Sequence, residues 1–438
     1  MTAARVAQAA TTSTDLGLGV PVRGPSGWAE AVAAAGHVEE VPTAIGDLPF
    51  GIHYGLVPSL AQARQLLGPA SDLARAERGR DYFAPDQYRL RSRLRLGMHD
   101  RGEAYVFADA PLAEEDLAGH ARHLPGHLTT IRFRQLELEP GQVLDVTTPP
   151  GAWPGLDPRE ELYVLLVVDR LTAAPGCALR VRGNVAVLDI GELEADGDFT
   201  ILVRGTDHAP FSAVRTRAAL HGRDGDDGVR GADGRAARVA AGAFGPVVLE
   251  AGAPHGQDGA DGDGGEPGTA GENGGMAMLA DIRIGELVSS PPAVLHIDGK
   301  GGPGHPGGAG GAGGAGGDGG DGIESHPGTG EPPGRQGLGG AGGGGGRGGA
   351  GGNGGLSSHI FVTLPGRQHH SVRLTSRPST GGTGGGGGPG GAGGRHGRGV
   401  RGQHTDGDDA EAGPRGQDGR PGCDRDGPPM TLLSSDPV

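Results

Sequence analysis

Glycine returns at every third position through much of the second half of this chain, and no other feature restricts its folding as strongly. It falls at 222, 225, 228, 231 and 234, then without a miss at 256 through 274, 301 through 322, 334 through 355, 381 through 393 and 413 through 422. A period of three suits neither a helix nor a strand. It suits left-handed polyproline-II backbone, which has three residues per turn, a rise of about 3.1 Å and no internal hydrogen bonds. Each of the three residue rows then makes one face of a rod.

Composition sharpens the point. Of 93 glycines, 71 lie after residue 210, while every Trp and Tyr lies at or before Tyr163. After Phe211 the only aromatic residues are Phe244 and Phe361, too little apolar bulk to order some 228 residues by conventional burial. Collagen would need proline at no less than about 15–20%, which this half lacks. Several runs, such as GGAGGAGGAGGDGGDG, also carry glycine on two rows, where collagen needs one. Two bare faces allow a rod to lie against others on two sides and to pair its unsatisfied N–H and C=O groups there. The expected architecture is therefore a polyglycine-II bundle.

Row content predicts position within that bundle. The runs at 301–322, 334–355 and 381–394 have two glycine rows and are expected inside, with GGGGG at 342–346 and 384–388 in the tightest contacts. Those at 222–234, 256–275 and 413–422 have one and are expected at the edge, with Asp224, Asp227, Asp258 and Asp261 facing water. The runs at 256–275, 301–322 and 334–355 hold 20, 22 and 22 residues, or roughly 62 to 68 Å of rod. Antiparallel threading then gathers strand-like segments 276–299 and 356–376 at one end. Connectors near 251–255, 323–333 and 403–412 fall at the other.

Upstream the period changes. Three segments share an apolar pair, a leucine, a proline four residues later and a second apolar pair. They are Ile131, Phe133, Leu136, Pro140, Leu144, Val146; Leu166, Val168, Leu171, Pro175, Leu179, Val181; and Ile282, Ile284, Leu287, Pro291, Leu295, Ile297. A fourth copy, Leu188, Ile190, Leu193, Ile201, Val203, has Gly197 in the proline's place, and IGEL recurs at 190–193 and 284–287. Such self-similarity marks stacked strand-turn-strand units, a β-solenoid or a layered sandwich. Pro followed by Gly, as at 140–141 and 175–176, suits a type II turn. The fold class expected is mainly β with non-regular rods: a mixed helical region at 1–128, a β-repeat domain at 129–221 and the glycine-rich bundle at 222–438.

Within the first region, Ser59 and Gln62 make a capping box for a helix over 60–67, with Gly68 as its stop. Pro111 opens a second helix that ends before Pro125.

The formal charge of -15 excludes a nucleic-acid binder that works by broad phosphate neutralisation. Cys177 and Cys423 are too few for a disulfide framework. The opening residues lack the apolar core of a secretory signal, and the longest apolar run, 162–168, is too short to span a bilayer, so no membrane insertion is expected. The stretch 316–324 fits one calcium nonapeptide, with Asp318 and Asp321 as ligands, but such repeats act in tandem; a solvated acidic row is the plainer reading. His120, His123 and His127 are spaced for one helical face, which Pro125 and Gly126 break, so no metal site is assigned. His369 and His370 fall in a hairpin turn between HIFVTLP and SVRLTS. Neither G-x-S-x-G nor H-E-x-x-H occurs, and no catalytic or cofactor-binding residue is assigned.

The triplet period, doubled glycine rows and intervening loops resemble the polyglycine-II sandwiches of certain phage tail-fibre adhesins, and more loosely bacterial glycine-rich and collagen-like surface proteins. The resemblance implies a rigid bundle that presents loops to a surface. The expected function is non-enzymatic recognition or adhesion toward a surface glycan or protein ligand, at a cell surface, outside the cell or on a particle. Self-association into a fibre or sheet is the alternative, and ice binding through a flat face a further one. The tip residues expected to touch a ligand are His255, Glu324, Ser325, His326, Thr329, Glu331, His404, Thr405 and Asp406.

Overall fold

The computed structural model describes residues 32, 34–68, 126–148, 162–206, 220–289, 293–327, 329–400 and 409–436. The chain is mainly β. Strands β1 (Gly36–Glu40) and β2 (Gly51–Val57) precede helix α1 (Leu60–Leu67). Then come β3 (Gly126–Leu138), β4 (Val143–Asp145), β5 (Leu162–Ala173), β6 (Ala178–Arg182), β7 (Val185–Ala195) and β8 (Phe199–Arg204). After the first glycine-rich run follow β9 (Arg238–Gly242) and β10 (Gly245–Glu250). The last strands are β11 (Ala280–Ser289), β12 (Leu295–Lys300), β13 (Ile360–Leu364), β14 (Val372–Arg377) and β15 (Met430–Ser434).

One sheet has the order β1-β2-β3-β5-β7-β11-β13-β15 and the other β14-β12-β8-β6-β4. From β3 onward the chain alternates between these two sheets, and all pairs formed there are parallel. Equivalent residues of the sequence copies sit side by side. Ile131, Leu166, Leu188 and Ile282 form one row, and Leu136, Leu171, Leu193 and Leu287 another. In the second sheet Leu179 neighbours Ile201, but Ile201 neighbours Ile297 rather than Leu295. The third copy is thus two residues out of the expected alignment. An even slip keeps the same side chains on the core face.

Both sheets close on one core that includes Leu166, Leu188, Ile282 and Val362 from the first and Leu179, Ile201 and Ile297 from the second. Ile190 and Leu193 both enter it although they are three residues apart, so the alternation breaks and the strand bends. The IGEL glycines occupy that bend: a Cβ at Gly191 would meet the Asp169 carbonyl at 2.7 Å. Gly141 and Gly176 have φ of 72° and 74°, as the second central residue of a type II turn requires.

Helix α1 covers part of the first sheet's outer face, where Leu66 and Leu67 join Leu165, Val187, Leu279 and Phe361. The capping box forms by half: Ser59 Oγ accepts from the Gln62 amide, while the Gln62 side chain donates to the Val41 carbonyl at 2.6 Å. Gly68 is extended (φ −64°), not left-handed, because Arg283 satisfies the helix end instead. Its guanidinium donates to the carbonyls of Leu67 and Gly68 at 2.8 Å each, and pairs with buried Asp281 at 2.7 Å. The helix expected after Pro111, with His120 and His123, lies outside the described residues; His127 stands in strand β3, so the three histidines share no helical face. His369 and His370 do not cap a hairpin, since β13 and β14 belong to different sheets and the intervening residues make a short 3-10 turn.

The six glycine-rich runs continue the two sheets outward. Each run is antiparallel to the next, as the steadily opposed numbering of the bonds Gly337 to Gly320, Gly343 to Gly314 and Gly349 to Gly308 illustrates. Runs two apart are parallel: Gly259, Gly262 and Gly265 donate to Leu338, Ala341 and Gly344. Odd runs therefore make one layer and even runs the other. The third run pairs with the first, second, fourth and fifth, and the fourth with the second, third, fifth and sixth.

This threading explains the glycine rows. One bare row faces the following run: a Cβ at Gly313 would fall on the Gly343 carbonyl. The other faces the run two earlier, where a Cβ at Gly314 would fall on the Asp226 carbonyl. Only the third, fourth and fifth runs have both neighbours, and only these carry two rows. The first and second have no run two before them, and the sixth has none after it. The fifth is thus bare on two rows although it pairs with only three other runs. None of these glycines is held at the positive φ that would itself demand glycine; close approach of backbone is the reason. The pentaglycines are not uniformly tight, since Gly344 and Gly386 point outward with room for a Cβ.

Candidate recognition tip

Among the described residues, the ends of several runs meet at the end away from the sheets. The amide of Ile323 donates to the Pro254 carbonyl, that of Gly334 to Ile323, and that of Gly322 to Arg398. The loop over 324–333 is held by its own side chains. Ser325 Oγ donates to the Pro332 carbonyl at 2.5 Å, and Thr329 Oγ1 to the His326 carbonyl at 2.8 Å. Glu324, His326 and Gly330 are exposed. His404, Thr405 and Asp406 lie outside the described residues.

His255 has a structural duty: its Nδ1 accepts from the Arg335 amide at 3.0 Å. It belongs to a series that local pattern did not disclose. A run's outward row has amides that meet no backbone carbonyl, and a side chain from the parallel run two earlier accepts them. Asp224 and Asp227 take the amides of Ala312 and Ala315, and Asp258 and Asp261 those of Leu338 and Ala341, all at 2.7 Å. These aspartates face water as expected, and they also tie runs together. Asp318 and Asp321, weighed as calcium ligands, accept from Arg395 and Arg398 at 2.8 and 2.7 Å in the same way. Among the described residues no group of His, Cys, Asp and Glu is placed to hold a metal ion.

The turn expected near 251–255 is the base of a longer feature. Beyond the bridge from Arg235 to Ala253, β9 and β10 form an antiparallel hairpin closed by Gly242 and Gly245 around Ala243 and Phe244. Phe244 is fully exposed, and Val247, Val248 and Leu249 are about half exposed or more. Arg235 and Arg238 stand 3.5 and 4.0 Å from Glu250 at its base, exposed pairs worth little stability. The signal for this element was present as two apolar stretches flanking a glycine-bounded turn. Alanine at 240, 241 and 243 and proline at 246 masked it as more linker.

Among the described residues no helix is long and apolar enough to cross a membrane. No protein-family model, no curated protein and no solved structure matches the chain.

Proposed function

We propose that this chain is a non-enzymatic recognition or adhesion protein, with polyglycine-II rods rising from a β-solenoid base to hold a small tip about 60 Å from it. Support for the rod assignment comes from the three-residue spacing of the inter-run bonds, at 2.7–2.9 Å. Parallel rows of equivalent residues support the solenoid reading. The observation that carries the function is the tip hairpin. A two-stranded hairpin is marginal in water on its own, yet this one displays Phe244, Val247, Val248 and Leu249 at the molecule's extremity. An aromatic and aliphatic cluster rimmed by charge, on a stiff support, is the chemistry of a contact surface.

Open-ended assembly through glycine faces is disfavoured by the outermost runs. The first and sixth each have one bare row, and it faces inward. Pro414 and Pro421 also remove donors from the sixth run. The deciding experiment pairs Phe244→Ser with Val248→Thr and screens both proteins on glycan arrays and cell panels. Unaltered circular dichroism with at least a tenfold loss of surface binding is expected. Undiminished binding by a folded variant defeats the tip assignment.

A further inference from the structure

The β9–β10 hairpin is apolar on both of its faces. Register puts Val247 opposite Ala240 on one face and Val248 opposite Val239 on the other. From Val239 to Leu249 the sequence VAAGAFGPVVL holds no side chain that can carry a charge or make a hydrogen bond, and every residue over 241–249 is exposed. A sheet that docks on a protein surface covers one face and leaves the other in water, which calls for polar residues on that second face. Sugar hydroxyls call for hydrogen-bonding side chains. This hairpin has neither, and an environment that is apolar on all sides suits it. Charge begins where the apolar stretch stops. Arg235 and Arg238 share Glu250 at the hairpin's base, all three exposed, which leaves one positive charge in excess.

We propose that the hairpin apex inserts into the surface layer of a zwitterionic phospholipid bilayer, an inference that rests on the tip being the contact surface. Phe244 lies six residues beyond Arg238, or about 20 Å along an extended strand. An element lying in the bilayer interface enters the acyl boundary by about 5–10 Å. Phe244 and Val247 then reach hydrocarbon, while Arg235, Arg238 and Glu250 stay level with the headgroups. There the two guanidinium groups meet phosphates, in the paired-donor geometry that arginine offers, and the carboxylate meets the quaternary ammonium. Backbone sets the limit of depth, because the two strand edges have no pairing partners and hydrocarbon supplies none. Pro246, opposite Ala241, has no N–H and so removes one edge donor near the apex. Such an insertion anchors a loop and spans nothing. Its partition is weak and reversible, below the about 10⁴ M⁻¹ of a single myristoyl chain.

Vesicle flotation supplies the test. The full chain is mixed with an excess of sonicated phosphatidylcholine vesicles and floated through a density gradient. The unaltered chain is expected to float, and combining Phe244→Ser with Val248→Thr is expected to weaken partition at least tenfold. Phe244→Trp reads depth: its emission should shift to the blue on vesicles and be quenched by lipids brominated on their acyl chains, beyond any change in the unaltered chain, whose own tryptophans are Trp28 and Trp153. Failure of the unaltered chain to float overturns the proposal, and so does flotation without acyl-chain quenching of the Phe244→Trp emission. Flotation is measured on the unaltered chain, so the proposal can be overturned even if a variant fails to fold. The tip reading fails separately. If Phe244→Ser and Val248→Thr abolish binding to cells while the unaltered chain ignores vesicles, the tip is still the contact surface, its partner is a protein or glycan, and bilayer insertion is wrong.

Discussion

Adjacent glycines in one pentaglycine stretch have opposite tolerances. A Cβ at Gly343 would fall on the backbone carbonyl of Asp263 in the second run, whereas a Cβ at Gly344 meets Pro414 alone, its side chain at 3.7 and 3.8 Å and its carbonyl at 3.9 Å, ordinary contacts. Relief at 343 requires the fourth run to draw away from the second and, at its own amide, from the third. The bonds at stake are Gly262 to Ala341, Gly265 to Gly344 and Gly343 to Gly314, each 2.9 Å. At about 0.5–1.5 kcal/mol net for each bond, their loss costs roughly 1.5–4.5 kcal/mol. Gly→Ala returns about 0.4–1 kcal/mol by restricting the unfolded chain. Gly343→Ala should therefore destabilise by about 0.5–4 kcal/mol, while Gly344→Ala should be neutral or stabilise by up to about 1 kcal/mol. Urea unfolding followed by circular dichroism, with hydrogen exchange on the run amides, reads both. Gly343→Val should be worse than Gly343→Ala, and Arg347→Ala, at an exposed site, near neutral. Equal stability of the two alanine variants, or the reverse order, refutes the assigned rows.

Removing one side-chain acceptor between runs tests the second bonding system: Asp261→Ala strips the Ala341 amide of its partner at an exposed site and should cost about 0.5–1.5 kcal/mol, whereas Asp261→Asn, which keeps an acceptor oxygen, should recover most of it in thermal melts. Burial raises the Asp189 carboxyl above its ordinary range, with Arg283 opposing and Asp281 reinforcing the shift. A raised folded-state value means more bound protons in the folded state, so stability is highest below the unfolded carboxyl range and falls as pH rises through the folded value. Melting of Asp189→Asn should therefore gain on the unaltered chain between pH 4 and pH 7, and a gain that grows toward acid would contradict the burial argument. Exchanging 324–331 for a neutral Gly-Ser linker should leave the melt intact and abolish binding to the target surface; normal binding would confine recognition to the β9–β10 hairpin.

What the sequence alone determined is what depends on local repetition. Period three matches the three-residue spacing of the bonds between runs, and the matched run lengths implied antiparallel threading. The spacing of Ile190, Leu193 and Ile201 and their counterparts implied stacked strands with one inward face. Those readings follow from each residue's own row or face, which neighbours in sequence define. Tertiary structure decided which run meets which. A backbone with no internal hydrogen bonds must satisfy every donor elsewhere, so the partners of Gly259 and Gly262 lie in a run about 80 residues away, at Leu338 and Ala341. The two-layer order follows from those distant pairings, and with it the reason the fifth run is bare on two rows. Asp258 and Asp318 become acceptors for the same reason, since their partner amides belong to another run. The strands at 280–300 and 360–377 join the upstream sheets because neither pair can bury its apolar face alone. A lone basic residue such as Lys300 looks ordinary in one dimension. Only parallel register sets it between Arg204 and Arg377.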